Sequence, residues 1–439
     1  MVRNSKDGVN LTLKYSITLY INAVLFLFSY IINMEDFMKL NVAVFFGGES
    51  VEHEVSVISA HQAIAALNKD KYNVIPIYVS KERKLYYSDK LNDMNFFKDL
   101  NKVIAESTQI SLASIDNKVT IIPVKHSMFG KKDFGTIDVA IPVMHGTNGE
   151  DGTIQGFLEM LKVPYAGCDL IAAAVGQDKV LQKNILNDNG LPITNWFWAY
   201  ENELDENPEE LIRKAHKLIY PVIIKPACTG SSIGISIAHN DEEFLLCFAE
   251  AREFDTKVIV EKVVKPMREI NCSVLGDYSN AVASVLEEVG KDNNEELLSF
   301  QKKYQGGSKG SKTSGSSKGM ASTARIVPAP LTTEQTEYIQ KLAISTFKAL
   351  GSSGVCRIDF MMDAETKKIY VNEINTIPGS LAFYLWQASG VSFEELMDKL
   401  VELALERERR RSRMTFSYST NLLETYSESG AKGAKGAKQ

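Results

Sequence analysis

Two short stretches near the C-terminus carry the clearest chemistry, RID (Arg357–Asp359) and NEIN (Asn372–Asn375). On a strand, residues two apart share a face. Arg357 and Asp359 therefore point together, as do Glu373 and Asn375. Two carboxylates and an amide oxygen form a hard-oxygen cluster suited to Mg²⁺ bridging phosphates. The plainer reading is a buried ion pair, with Arg357 neutralising an acid. The TIPGS that follows (Thr376–Ser380) weighs against it, because Gly379 places a backbone N–H near the same site.

A second set suits a nucleotide triphosphate. Lys225 ends the apolar run PVIIK, six residues before Ser231 in the glycine loop TGSSIG (Thr229–Gly234). Loop N–H groups and the hydroxyls of Ser231 and Ser232 can cradle phosphate oxygens while the lysine supplies charge. Lys179, in GQDK, is a second candidate cation. Two further motifs end strands. In GGESVEHEVS (Gly47–Ser56), Glu52 could hold an ammonium group; a plain turn with a solvated acid is the bland alternative. In HGTNGEDG (His145–Gly152), His145 could bind or polarise a substrate, although a lone histidine is more often structural.

These residues need elements to position them. Val42–Gly48 reads as a buried strand and its turn. Val55, Ile58, Gln62, Ala65 and Ala66 follow helical spacing, and Val74–Val79 is the next strand. Strand, helix, strand at this spacing is a βαβ unit of a parallel sheet. Val139–Met144 is another strand, and residues 81–135 are weakly patterned. A second region opens near Gln177, with strands at Pro221–Lys225 and Ile235–Ala238, a helix over Asp241–Glu253, and strands at Lys257–Val264 and Glu269–Leu275. A glycine loop between two strands is neither a Rossmann nor a P-loop arrangement. Gln305–Ser322, rich in Gly, Ser and Lys, cannot build a core and reads as a mobile loop or linker. A helix (Thr333–Leu350) and strands Val355–Met361 and Lys368–Ile374 follow. Ser392 and Glu395 form a capping box that opens a last amphipathic helix through Phe393, Leu396, Met397, Leu400, Leu403 and Ala404. The basic run Arg407–Arg413 reads as its solvated end, and the tail ESGAKGAKGAKQ as low-complexity chain.

Composition narrows the class. Of 439 residues, 44% are hydrophobic and 24% charged, ordinary for a globular protein and excluding a chain disordered throughout or a multi-span membrane protein. The net charge of −6 argues against nucleic acid as the main partner. Five scattered cysteines without C-x-x-C spacing argue against a disulfide framework or zinc site and fit a reducing cytoplasm. Ser16 to Met34 is uncharged and almost wholly apolar, a borderline membrane span. Its basic flank before and acids after would export everything downstream, whereas ATP chemistry belongs inside the cell. The expectation is a cytoplasmic protein in which residues before about Met34 are untranslated or dispensable, with membrane contact only if that segment is real.

In this order, GGESVEHEVS, HGTNGEDGTIQG, QDK, KPACTGSSIG, EK followed by REIN, RIDFMMD and NEINTIPG resemble the D-alanine–D-alanine ligases of the ATP-grasp superfamily, from about Met38 to Leu405. The chain is also similar to the related D-alanine–D-lactate and D-alanine–D-serine ligases. The resemblance implies an α/β ATP-grasp fold. Its parts would be an extension (1–37), a parallel-sheet substrate domain (38–175), a small central ATP-grasp domain (176–265), an α+β catalytic domain (266–406) and a basic tail (407–439). It implies ATP and Mg²⁺ (or Mn²⁺) as cofactors, D-alanine as substrate and a homodimer. Glu52 would bind the first D-alanine's ammonium, with His145 nearby. Lys179, Lys225 and Ser231 would contact phosphates. Glu261 would sit in the strand gripping adenine, and Glu269 would bind the ribose. Asp359, Glu373 and Asn375 would hold the metal. Arg357 and the Gly379 N–H would meet the oxyanion. Lys303 and Tyr304 look like the Lys-Tyr of the closing loop. Tyr384 and Leu385 fall where the family's usual pattern has a Ser–Leu pair holding the second substrate's carboxylate, a departure that bears on the acceptor pocket.

The expected reaction phosphorylates the first D-alanine's carboxylate, and the second D-alanine's amine then displaces the phosphate. Rival readings are a D-serine or D-lactate ligase, another ATP-grasp carboxylate–amine ligase, and a catalytically silent nucleotide-binding module. The intact acid–acid–Asn set argues against the last.

Overall fold

The computed structural model describes residues 39–125, 133–230, 233–290, 325–419 and 421. The apolar N-terminal run, Ser231, Ser232, Lys303, Tyr304, the Gln305–Ser322 segment and the low-complexity tail lie outside the described residues. Among the described residues no helix is long and apolar enough to cross a membrane.

The first sheet grows from the expected βαβ unit. Strand β1 (Leu40–Gly47) leads through α1 (His53–Ala66) to β2 (Tyr72–Val79), and β1 pairs in parallel with β2 and with β7 (Val139–Pro142). Val42 to Phe46 are fully buried, as a strand covered on both faces must be. The weakly patterned stretch forms β3 (Leu85–Tyr87), α2 (Leu100–Glu106), β4 (Thr108–Ile115), β5 (Lys118–Pro123) and β6 (Thr136–Ile137). These strands extend the parallel core antiparallel, in the order β6-β5-β4-β3-β2-β1-β7.

Helices α3 (Thr153–Met160), α4 (Leu170–Gln177) and α5 (Lys179–Asp188) lead to the second sheet. It contains β8 (Trp196–Tyr200), β9 (Val222–Pro226), β10 (Ser236–Ala238) and β11 (Lys257–Lys262), antiparallel in the order β10-β9-β11-β8. Helices α6 (Glu203–Glu206), α7 (Pro208–Leu218) and α8 (Asp241–Ala251) connect the strands, and Leu211, Phe244 and Phe248 fill the core beneath.

The third sheet is antiparallel, with the order β14-β13-β12-β15-β16. Its strands are β12 (Met267–Gly276), β13 (Ala281–Val289), β14 (Arg325–Ile326), β15 (Gly354–Asp363) and β16 (Ile369–Asn375), with α9 (Thr333–Ala349) packed against them. Its register sets Glu287 of β13, Asn271 of β12, Asp359 of β15 and Glu373 of β16 directly opposite one another. Ser273, Arg357 and Asn375 form the next row on the same face. This sheet therefore presents one polar surface.

Helix α10 (Phe383–Ala388) and helix α11 (Phe393–Arg411) are the last elements among the described residues. The Ser392–Glu395 capping box is formed, and Leu396, Met397, Leu400 and Ala404 are buried. They join Val42, Val44, Phe46 and Val57 in one core, so the end of the chain packs on the first sheet. The expected solvated basic end is corrected here. Arg407 donates to the carbonyl oxygens of Gly167 (2.7 Å) and Tyr165 and to Ser353 Oγ (3.0 Å), and its guanidinium lies 4.2 Å from the Tyr165 ring centre. Arg410 pairs with Asp277 and Arg411 with Glu159 (2.9 Å). Helical spacing turns these three toward the rest of the chain, where Arg407 satisfies loop carbonyls and Arg410 and Arg411 pair with acids. Arg407→Ala should lower unfolding free energy by about 2 kcal/mol, whereas Arg409→Ala, at a side chain 65% exposed, should change it by less than about 0.5 kcal/mol. Urea unfolding of both variants checks this, and equal effects would contradict it.

Candidate active site

The site forms where the three sheets meet. At its centre Arg357 grips Asp359 with two parallel bonds, Nε to Oδ1 (2.6 Å) and Nη2 to Oδ2 (2.8 Å). Burial pushes the Asp359 carboxyl up and the arginine pulls it back down; the net direction is upward. Burial acts against the Arg357 charge, but Asp359 outweighs it and keeps the guanidinium protonated. Asn375 donates Nδ2 to Asp359 Oδ2 (3.0 Å), which turns its own Oδ1 away from the carboxylate. Glu373 lies across the ladder from Asp359, and Lys179 Nζ is 3.6 Å from its Oε2. Two acids and an amide oxygen thus share one edge of the sheet, as RID and NEIN predict. No group of three His, Cys, Asp or Glu side chains is placed to hold a metal ion among the described residues. The oxygen set that is present fits a hard divalent cation.

The second sheet supplies cations. Lys225 Nζ donates to Glu261 Oε1 (2.9 Å) and reaches Asn372 Oδ1 (3.4 Å). Glu261 Oε2 takes Lys183 Nζ (2.9 Å) and Thr194 Oγ1 (2.7 Å). Burial would raise the Glu261 carboxyl, but Lys183 and Lys225 outweigh it and hold it far below the usual carboxylate range. The Glu261 side chain, expected at adenine, is thus taken by two lysines and a threonine. Lys183 is a residue the sequence reading missed. It is fully buried and lies one helical turn after Lys179 on α5, and that i, i+4 spacing was the available signal. Lys179 itself donates to the Thr229 carbonyl (2.9 Å), tying α5 to the glycine loop. Glu269 sits at the start of β12, where the chain passes from the second sheet to the third.

The first sheet supplies Glu52. The turn before it needs glycine: Gly47 has φ +94°, and a β-carbon there would lie 2.3 Å from the Val79 carbonyl oxygen. His53 locks this turn, donating from Nδ1 to the Gly48 carbonyl (2.7 Å), with Nε2 3.2 Å from the Tyr78 hydroxyl. Glu52 is buried, and two glycines crowd it. A β-carbon on Gly146 would sit 2.8 Å, and one on Gly230 3.3 Å, from its Oε2. Gly146 and Gly230 therefore both lie against this carboxylate.

His145 is brought to Glu52 with both ring nitrogens committed to protein. Nδ1 donates to the Ile377 carbonyl (2.9 Å), so neutral Nε2 accepts from Ser59 Oγ (2.9 Å). Ser59 Oγ in turn accepts the Ser380 N–H (3.0 Å). Burial lowers the His145 pKa, so the ring stays neutral. The histidine thus holds the turn that follows NEIN, where Ser380, Leu381 and Ala382 all have φ near +50°. Gly379 opens that turn, and α10 follows it. On α10, Tyr384 donates its hydroxyl to Glu287 Oε1 (2.7 Å), and the neighbouring Leu385 side chain is fully buried.

Glu150 was also missed, although it lies inside HGTNGEDG. Its Oε2 accepts the Gly146 N–H (2.9 Å) and its Oε1 the Ile377 N–H (3.0 Å), joining the first and third sheets. Burial and the neighbouring Glu52 push its carboxyl up to about 8. A carboxyl raised from 4.5 to about 8 gives stability that is full below the lower value and lost as pH rises through the upper one. The advantage of wild type over Glu150→Gln should therefore be largest near pH 4.5 and fall toward pH 8, by at most about 1.4 kcal/mol per unit. Unfolding curves across that range check the slope. A difference independent of pH would show that Glu150 is ionised in the fold.

The chain is similar in sequence and fold to known proteins. Residues 41–168 match the family described as the D-ala D-ala ligase N-terminus, and residues 185–402 the D-ala D-ala ligase C-terminus. A D-alanine–D-alanine ligase of Thermosipho melanesiensis is 40% identical over 385 residues, covering 88% of this chain and 98% of that one. One from Caldicellulosiruptor bescii is 37% identical, covering 86% and 99%. Among solved structures, the D-alanine–D-alanine ligase of Coxiella burnetii superposes with a TM-score of 0.71 at 27% identity, covering 85% of this chain and 96% of that one. The VanG D-Ala:D-Ser ligase of Enterococcus faecalis superposes with 0.67 at 26% identity, covering 84% and 100%. This chain belongs to the D-alanine–D-alanine ligase family, and its three sheets are those of an ATP-grasp enzyme.

Proposed function

We propose that the chain joins two D-alanines into D-alanyl-D-alanine, with ATP converted to ADP and phosphate, as a step of peptidoglycan precursor synthesis. The observation that carries this reading is the convergence of Glu52 from the turn after β1, Lys179 of α5, Lys225 of β9 and the Arg357–Asp359–Glu373–Asn375 cluster of β15 and β16. A carboxylate is a poor electrophile and must be activated before an amine can attack it. Glu52 holds the ammonium of the first D-alanine, which sets its carboxylate toward Arg357. Lys179 and Lys225 neutralise phosphate oxygens as the γ-phosphoryl passes to that carboxylate, a step governed by positioning and charge. Asp359, Glu373 and the Asn375 amide oxygen would hold a divalent cation, which supplies charge neutralisation between phosphates. The second D-alanine's amine then attacks the acyl phosphate. Arg357 and the Gly379 N–H meet the developing oxyanion, a type of contact worth about 10²–10³ in rate. The resulting enzyme works in the cytoplasm, where its ATP is, and functions as a homodimer.

Two outcomes follow. ADP release should require D-alanine and Mg²⁺ together and be matched by dipeptide. Mass spectrometry of products from D-alanine, D-serine and D-lactate assigns the acceptor; phosphate release without dipeptide would refute the ligase reading, and a preferred D-serine product would move it to the related ligases. Glu373→Gln should raise the Mg²⁺ concentration needed for half-maximal rate by more than about tenfold. An unchanged Mg²⁺ dependence would remove Glu373 from the metal site.

A further inference from the structure

We propose that Arg325 binds the free carboxylate of the second substrate and so sets the requirement for an amino-acid acceptor; this rests on the ligase reading above. Arg325 stands on β14, at the edge of the third sheet opposite β16 and its metal-site acids. Its guanidinium lies 5.0 Å from the centre of the Tyr384 ring, and Nη1 reaches Glu287 Oε2 at 3.4 Å. Its Nε is buried and has no partner among the described residues. The side chain as a whole is 22% exposed, so the cleft can reach it.

The surroundings hold this guanidinium without satisfying it. Glu287 is fully buried, and its Oε1 is already taken by the Tyr384 hydroxyl (2.7 Å) and Asn271 Nδ2 (3.1 Å). Its Oε2 offers Arg325 one long contact, not the two parallel bonds that Asp359 gives Arg357. A buried guanidinium donor left unpaired is costly, and a planar carboxylate is the ligand whose geometry matches it. Glu287 and Tyr384 are therefore positioning residues, and Arg325 makes the contact.

The contact falls to the second substrate because of where Arg357 lies. Arg357 acts electrostatically on His145 and Glu150, on the Glu52 side, and also senses Tyr384 and Glu287 on the other. The first substrate's carboxylate is spent at Arg357. Glu287, which Arg325 contacts, is on β13, two strand spacings or about 10 Å from β15; the acceptor residue alone, about 3.5 Å long, with a hydrogen bond of about 2.8 Å at each end, nearly covers that interval. A carboxylate at Arg325 is then the C-terminal end of the two-residue product.

The test uses D-alaninamide, which has an amine but no carboxylate and so can serve only as acceptor. Wild type given D-alanine, ATP, Mg²⁺ and D-alaninamide should make chiefly D-alanyl-D-alanine. Arg325→Gln should raise the acceptor KM for D-alanine about 10- to 100-fold and bring the two products to within about threefold of each other, because the amide loses nothing when the charge is removed. Arg325→Lys should recover part of the preference, and it decides the matter if the glutamine variant fails to fold. An unchanged product ratio in either folded variant overturns the inference. Wild type that forms no dipeptide at all overturns instead the ligase reading on which it rests.

Discussion

Asp359 is buried and Arg357 nearly so, and neither could remain charged there alone. Taking an ion from water costs several kcal/mol, recovered only when the partner geometry is good. Two parallel bonds of 2.6 and 2.8 Å supply that geometry, and Asn375 satisfies Asp359 further. The rest of the cleft is arranged around this pair. The pair lies on the middle of β15, flanked by β12 and β16. A slip of one residue in either ladder would turn both side chains to the opposite face, the one covered by Cys272, Ile358 and Phe360. The apolar face therefore fixes the register, and the register fixes the polar row.

The same logic joins the sheets. Backbone groups in the turns that meet at the cleft have no strand partners, so side chains must satisfy them. Glu150 accepts an N–H from each of two turns, and His145 and Ser59 form a chain from the Ile377 carbonyl to the Ser380 N–H. At the far end of the molecule Arg407 does this for Tyr165 and Gly167. These contacts hold three consecutive non-glycine residues at positive φ, each costing about 1 kcal/mol or more, which persists because the surroundings over-determine it.

Local pattern made much of this legible. Period-two spacing in RID and NEIN was enough to place four side chains together, and the Ser392–Glu395 box was enough to start α11. The glycine pair at 47–48 marked a turn that nothing larger could make. What stayed hidden depends on pairing across long stretches of chain. Glu287 and Arg325 acquire meaning only when β13 lies beside β12 and α10 folds back with Tyr384, 97 residues from Glu287 in sequence. Arg407 looked solvated because its partners lie 240 residues away. The strands after β2 turn alternate residues, Ile110, Leu112, Val119 and Ile121, into a core of their own, but they are short and set among polar residues, so the pattern is weak in sequence. Glu261 was read by its strand, yet its carboxylate is claimed by a lysine one turn beyond a recognised one.

Charge balance explains why phosphates and a metal would occupy opposite walls of one cleft. On the second-sheet side, Lys183 and Lys225 share the single carboxylate of Glu261, so that wall keeps a surplus positive charge. On the third-sheet side, the acids Asp359, Glu373 and Glu287 face the guanidiniums of Arg357 and Arg325, so that wall keeps a surplus negative charge. The first wall would suit the phosphates of a nucleotide, and the second, with its acids, would suit a divalent cation. Lys179 stands between the walls, bonded to the glycine loop through Thr229 and 3.6 Å from Glu373. At that distance the ion pair is loose enough to be exchanged, because a contact beyond hydrogen-bond range holds a lysine by charge alone. Lys179 thus touches both walls, held to one by a hydrogen bond and to the other by charge.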